Sequence, residues 1–239
     1  QAEDGIRDVE RSRGLGDVYK RQIYFRIGVP FENVLIPKIK STIKQILIVD
    51  TRKGIRLRKM ESNHHHKTGD NDPHIWLSPV LVKQQAKTIF ESLVQIDPEG
   101  KEEYIINLQS FLNDLETLNS KIKQVLAPVK GRTFFVFHPS FGYFADTYDL
   151  RQVAVEIEGK SPKGKDLAMF IKKAKEEKVH VIFVQPQFDD SAAKKIATAI
   201  DGEVVYLDPL ARDYIHNLEE MAKKIREALK NNTTNSPSI

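Results

Sequence analysis

The side chains of this 239-residue chain whose types and surroundings could do chemistry are His74, His138, Glu158 and Asp208. Two imidazoles and a carboxylate form a typical donor set for zinc, manganese or ferrous iron. His74 lies in Asn71-Asp72-Pro73-His74-Ile75-Trp76-Leu77-Ser78-Pro79, between a rigid Asp-Pro corner and a tryptophan. A helix is expected directly after it, with Ser78 as its cap and Pro79 in the first turn, where no N–H is needed. A ligating imidazole needs support of this kind, because a wobbling ring loses metal affinity. Each residue also has a purely structural reading. His74 could bond backbone in a buried turn, His138 could cap a short helix, Glu158 could brace a loop, and Asp208 could form a turn before Pro209.

The elements that must position these groups are legible in the C-terminal half. Segments 133–137 (TFFVF), 153–157, 180–184 (HVIFV) and 204–207 (VVYL) are rich in β-branched or aromatic residues and read as strands. Helical stretches at 141–148, 163–177 and 191–200 alternate with them, and a last helix covers 217–229. Such alternation predicts an α/β fold with a parallel sheet covered on both faces. Ligands of open parallel sheets bind beyond the carboxyl ends of the strands. Just past those ends, in strand order, stand His138, Glu158 (after Glu156-Ile157), Gln185 with Gln187, and Asp208. An imidazole and two carboxylates therefore converge on one sheet edge, and His74, outside the sheet, could face them from another lobe. His180 opens a strand at the opposite edge and His216 opens the last helix; both read as structural or exposed.

Further upstream, 46–50 reads as a short strand and 54–57 as a weaker alternation. Segment 60–71 is a polar loop carrying His64-His65-His66, either simply solvated or a weak, exchangeable metal-collecting tether. Val82, Ala86, Ile89, Phe90 and Leu93 repeat at helical spacing. After Asp97-Pro98, the series Tyr104, Leu108, Phe111, Leu115, Leu118, Ile122 and Val125 steps by fours and threes. One helix over 98–126 would be roughly 43 Å long, a coiled-coil seam or a strut between lobes. Residues 2–22 carry scattered charge and three glycines without period, and are set aside as a non-native or flexible string. The expected organisation is thus a string at 1–22, the remnant of an N-terminal lobe at 23–97, a connecting helix at 98–127, an α/β lobe at 128–230 and a disordered tail at 231–239.

Composition narrows the classes. A net charge of +4 is too mild and too dispersed for a nucleic-acid partner. With no cysteine there can be no disulfide, Cys-type zinc site or thiol nucleophile. No apolar run approaches the ~18 residues of a membrane span, and no secretory signal is visible at the start.

The chain resembles the solute-binding receptors of zinc and manganese ABC importers, two-lobed proteins joined by one long helix. The matching pieces begin with Tyr24-Phe25-Arg26-Ile27-Gly28-Val29-Pro30-Phe31-Glu32, the His74 motif, and Tyr104 with Asn107 in the long helix. His138-Pro139-Ser140-Phe141-Gly142-Tyr143-Phe144, Glu158-Gly159-Lys160-Ser161-Pro162 and Tyr206-Leu207-Asp208-Pro209-Leu210 complete the series. The resemblance implies that His74, His138 and Asp208 are metal ligands in an interlobe cleft, with Glu158 a conformational brace beside them. It implies a monomeric, non-enzymatic receptor in the periplasm or another extracytoplasmic space, handing its ion to a membrane permease. The family supplies a further histidine from an early loop that would precede Tyr24, so the chain reads as N-terminally truncated, without that ligand and without the export signal. Zinc is favoured over manganese, since a nitrogen donor at 138 suits zinc and zinc receptors of this family often carry a His-rich loop. Two competing functions are a metal-dependent hydrolase with Glu158 as general base and a surface adhesin on the same scaffold. Against the hydrolase, the sequence has no HExxH helix and no phosphate-binding glycine loop.

Overall fold

A computed structural model describes residues 22–60, 71–156 and 164–231 of the chain. The string before Gln22, the His64–His66 loop, Glu158 and the tail after Asn231 lie outside the described residues. Contacts divide the chain into two compact units, one of 1–55 with 84–109, the other of 56–83 with 110–239. The first contains β1 (Ile23–Arg26), α1 (Glu32–Thr42) and β2 (Leu47–Asp50), with β1 and β2 paired in parallel from Ile23↔Leu47 to Arg26↔Asp50. Strand β2 falls where the apolar run predicts it. Strand β1 carries little alternation of its own and is defined by its partner. Between them, the buried carboxylate of Glu32 accepts the Ile27 and Gly28 N–H groups (3.1 and 2.6 Å) and the Tyr24 hydroxyl (3.2 Å). It thereby satisfies the donors of the turn that leads into α1. Helix α2 (Pro79–Ile96) and helix α3 (Lys101–Leu126) each have residues in both units.

The second unit is built on a four-stranded, wholly parallel sheet of order β4-β3-β5-β6. Its strands are β3 (Thr133–Val136), β4 (Arg151–Ala154), β5 (Val181–Val184) and β6 (Glu203–Tyr206). Helices α4 (Gly142–Thr147), α5 (Lys165–Glu176) and α6 (Ser191–Ala199) form the crossovers, and α7 (Tyr214–Asn231) comes after β6. Alternation along the strands sorts the core into two layers. Phe134, Val136, Ala154 and Phe183 pack with Leu118, Ile122 and Leu126 of α3 and with Leu218, Met221 and Ile225 of α7. Phe135, Phe137, Val155, Ile182 and Val184 pack with Phe170 of α5 and Ile196 of α6. Both faces are covered, which is why the strands read as continuous apolar runs rather than as alternation.

The α3 stripe is used unevenly. Leu115, Leu118 and Ile122 are buried, whereas Phe111 is exposed. Only the C-terminal part of the heptad-like pattern faces a core, so the repeat marks a packed strut there and not a continuous seam. Ser78 also departs from expectation: its hydroxyl pairs with Thr147 Oγ1 at 2.8 Å, tying the start of α2 to the end of α4.

Candidate metal centre

The chain passes from β3 to β4 on one side and then crosses back to place β5 on the other side of β3. The strand order therefore reverses between β3 and β5, and the crevice of an open parallel sheet lies at the carboxyl ends of such a pair. The residues there are His138 and Gln185. Gln185 is fully buried and clamps the His138 backbone from both sides. Its Oε1 accepts the His138 N–H at 3.3 Å and its Nε2 donates to the His138 carbonyl at 2.7 Å.

The register of β3 against β4 supplies the next group. Val136 stands opposite Ala154, and the pairing continues past the strands, with Val155 N–H donating to Val136 O (2.8 Å) and Glu156 N–H to Phe137 O (3.0 Å). Glu156 is thereby carried to His138, where its Oε1 lies 2.5 Å from Nδ1. A carboxylate only accepts, so Nδ1 bears a proton, which leaves Nε2 as the ring nitrogen whose lone pair the neutral tautomer offers to another partner. Phe188 stacks on the ring at 4.9 Å and 28°.

His74 is held in the same way by local means. Asp72 and Pro73 form a corner in which Asp72 Oδ1 accepts both the His74 backbone N–H (2.9 Å) and its Nδ1–H (2.7 Å). The Asp72 side chain is 1% exposed and faces Arg58 Nη1 at 3.8 Å. Tyr143 braces the corner, its hydroxyl donating to Asp72 O (3.1 Å) and accepting the Arg58 N–H (3.0 Å). Each imidazole thus has a buried carboxylate on Nδ1, the arrangement that fixes the tautomer and orientation of metal-bound histidines. The two ring centroids are 5.4 Å apart, edge to face.

Residues 56–83 cluster with the C-terminal unit. His74 and His138 therefore belong to one compact body, where the sequence suggested that His74 would approach from another lobe. Asp208 belongs to it too. The Trp76 indole N–H donates to Pro209 O at 2.9 Å, and Asn217 Nδ2 donates to Asp208 O at 2.7 Å, so the Asp208 loop is tied to the His74 segment. The Asp208 carboxylate itself is engaged through Oδ1, which accepts from Gln187 Nε2 (2.6 Å) and the Leu210 N–H (2.9 Å). Among the described residues, no three His, Cys, Asp or Glu side chains stand together as an ion-holding group. The structure brings the two imidazoles together; Asp208 is linked to them through backbone and neighbours. Sequence reasoning passed over Asp72 and Glu156 as anchors; the Asp-Pro-His spacing signals Asp72, whereas Glu156 depends on the register of β3 against β4.

Comparison with known proteins gives the family. The model of "Zinc-uptake complex component A periplasmic" matches residues 12–228. The chain belongs to this family. The high-affinity zinc uptake system protein ZnuA of Yersinia pestis is 30% identical over 180 residues, covering 70% of this chain and 55% of that protein. The ZnuA of Bacillus subtilis is likewise 30% identical, covering 71% and 56%. The chain thus spans about half the length of the curated relatives it matches. A crystal structure of ZnuA superposes with a TM-score of 0.81 at 38% identity, covering 91% of this chain and 84% of that one. The fold of this chain, with its long helix and parallel sheets, is therefore the one that structure has.

Proposed function

We propose that the chain captures a zinc ion and passes it to an ABC-type permease in the periplasm or an equivalent extracytoplasmic space. His74 and His138 bind it through Nε2, Asp208 supplies an oxygen, and manganese is the second-choice cargo. The observation that carries this reading is the pair of adjacent rings, each pinned at Nδ1 by a buried carboxylate. Imidazole nitrogens of fixed tautomer suit zinc better than the oxygen-rich surroundings preferred by manganese. The family and its zinc-uptake relatives support the same cargo. Asp72 and Glu156, the carboxylates that touch the rings among the described residues, are committed to imidazole N–H groups, which favours a binding role over hydrolysis with either of them as base. The receptor acts as a monomer that binds no nucleic acid. Metal analysis after dialysis against zinc should find about one ion per chain, and the His74→Ala/His138→Ala double variant should hold none. Full occupancy in a folded double variant refutes the proposal.

A further inference from the structure

The segment after β5 touches both sides of the candidate centre. Gln185 clamps the His138 backbone, Phe188 stacks on the His138 ring, and Gln187 between them donates to Asp208 Oδ1 at 2.6 Å. Because Gln185 and Phe188 are anchored on His138, the Gln187 amide approaches Asp208 from a fixed platform. Asp208 Oδ1 also accepts the Leu210 N–H at 2.9 Å. One carboxylate oxygen is thus occupied by two donors, and among the described residues Oδ2 accepts no hydrogen bond.

We propose that Gln187 sets the metal preference of the centre by restricting Asp208 to one-oxygen ligation. This rests on the reading of Asp208 as a ligand. Zinc is satisfied by four donors in a tetrahedron, so one oxygen beside two imidazole nitrogens suits it. Manganese seeks a larger, oxygen-rich shell, which a two-oxygen grip by Asp208 would help to fill. Gln187 withholds that second oxygen. It is a positioning residue that acts on the ion only through Asp208, and it selects by coordination number rather than by charge.

The test uses the 239-residue chain with Gln187→Ala, Gln187→Glu and Asp208→Ala, titrated with zinc and with manganese and studied as the cobalt(II) forms by visible absorption. Gln187→Ala should weaken zinc by about tenfold, as loss of a ligand's supporting partner does, while manganese binding holds or tightens. The cobalt bands should lose intensity as coordination expands beyond four. Gln187→Glu keeps the length but loses the N–H donor, and should shift preference in the same direction. An unchanged zinc-to-manganese ratio and cobalt spectrum in either Gln187 variant, with zinc bound by the wild type, overturns the inference alone. Undiminished zinc affinity in Asp208→Ala removes its premise and overturns it together with the oxygen ligand. A wild-type chain that binds no zinc overturns the receptor reading itself.

Discussion

In the proposed zinc centre, replacing Glu156 by alanine asks how much affinity comes from a residue that holds a ligand without itself binding the ion. In the wild type, Glu156 Oε1 lies 2.5 Å from His138 Nδ1, and the carboxylate is 4% exposed. Hydrogen bonds to a charged group in such surroundings contribute about 1.5–3 kcal/mol. Without the carboxylate, His138 is free to rotate and to place its proton on Nε2, where it blocks the metal. Removing such a support lowers metal affinity about 10–100-fold, or about 1.4–2.7 kcal/mol. Glu156→Gln is the informative companion. It preserves shape and an accepting oxygen but not the charge, so it should fall between wild type and alanine, about tenfold down. The assay is competition of zinc between the protein and a chelator of known affinity, with urea unfolding to establish that each variant is folded. Zinc affinity equal to wild type in a folded Glu156→Ala variant would refute the reasoning, because a ring without its anchor would then bind as well as one with it.

Gly142→Ala probes the other anchor. A Cβ there would overlap the Arg58 guanidinium and lie 2.9 Å from Asp72 Oδ2, so the guanidinium must shift beside the buried carboxylate. Stability to urea should drop by about 1–3 kcal/mol, and an unchanged midpoint would contradict the contact. Tyr148 and Tyr214 are phenols pushed well above their ordinary range by burial, and their hydroxyls have no hydrogen-bond partner among the described residues. Their raised folded-state values mean that the stabilisation is complete below the unfolded value of about 10 and is lost as pH rises beyond it. The Tyr148→Phe/Tyr214→Phe variant should be at least as stable at neutral pH and lose stability less steeply above about pH 10. Identical alkaline profiles in the two proteins would show that these phenols play no part.

The C-terminal sheet was legible because its strands are buried on both faces. TFFVF and HVIFV leave little choice but a central strand, and β3 and β5 occupy the middle of the sheet. The strand ends then assigned His138 and Asp208 their places. Less legible was what a register decides. Glu156 reaches His138 because Val136 pairs with Ala154, and no local pattern distinguishes that alignment from its neighbours. The sequence drew attention to Glu158 instead, two residues farther on. Strand β1 and helix α1 were missed for a related reason. Ile23–Arg26 is partly buried throughout, and Pro37 lies inside the helix, so neither has the clean period of a one-faced element. The membership of 56–83 in the C-terminal unit is a matter of long-range contacts such as Trp76 to Pro209, which periodicity does not encode.

The adjacency of the His74 and His138 rings spans a long detour of the polymer, since α2 and α3 both lie between them. An ion shared by those rings is a cross-link, and closing a stretch of that length removes on the order of 4 kcal/mol of chain entropy from the unfolded ensemble. Cargo and staple are then the same atom. On the proposed reading, the chain without its ion would be the less stable form and the one more open to proteases.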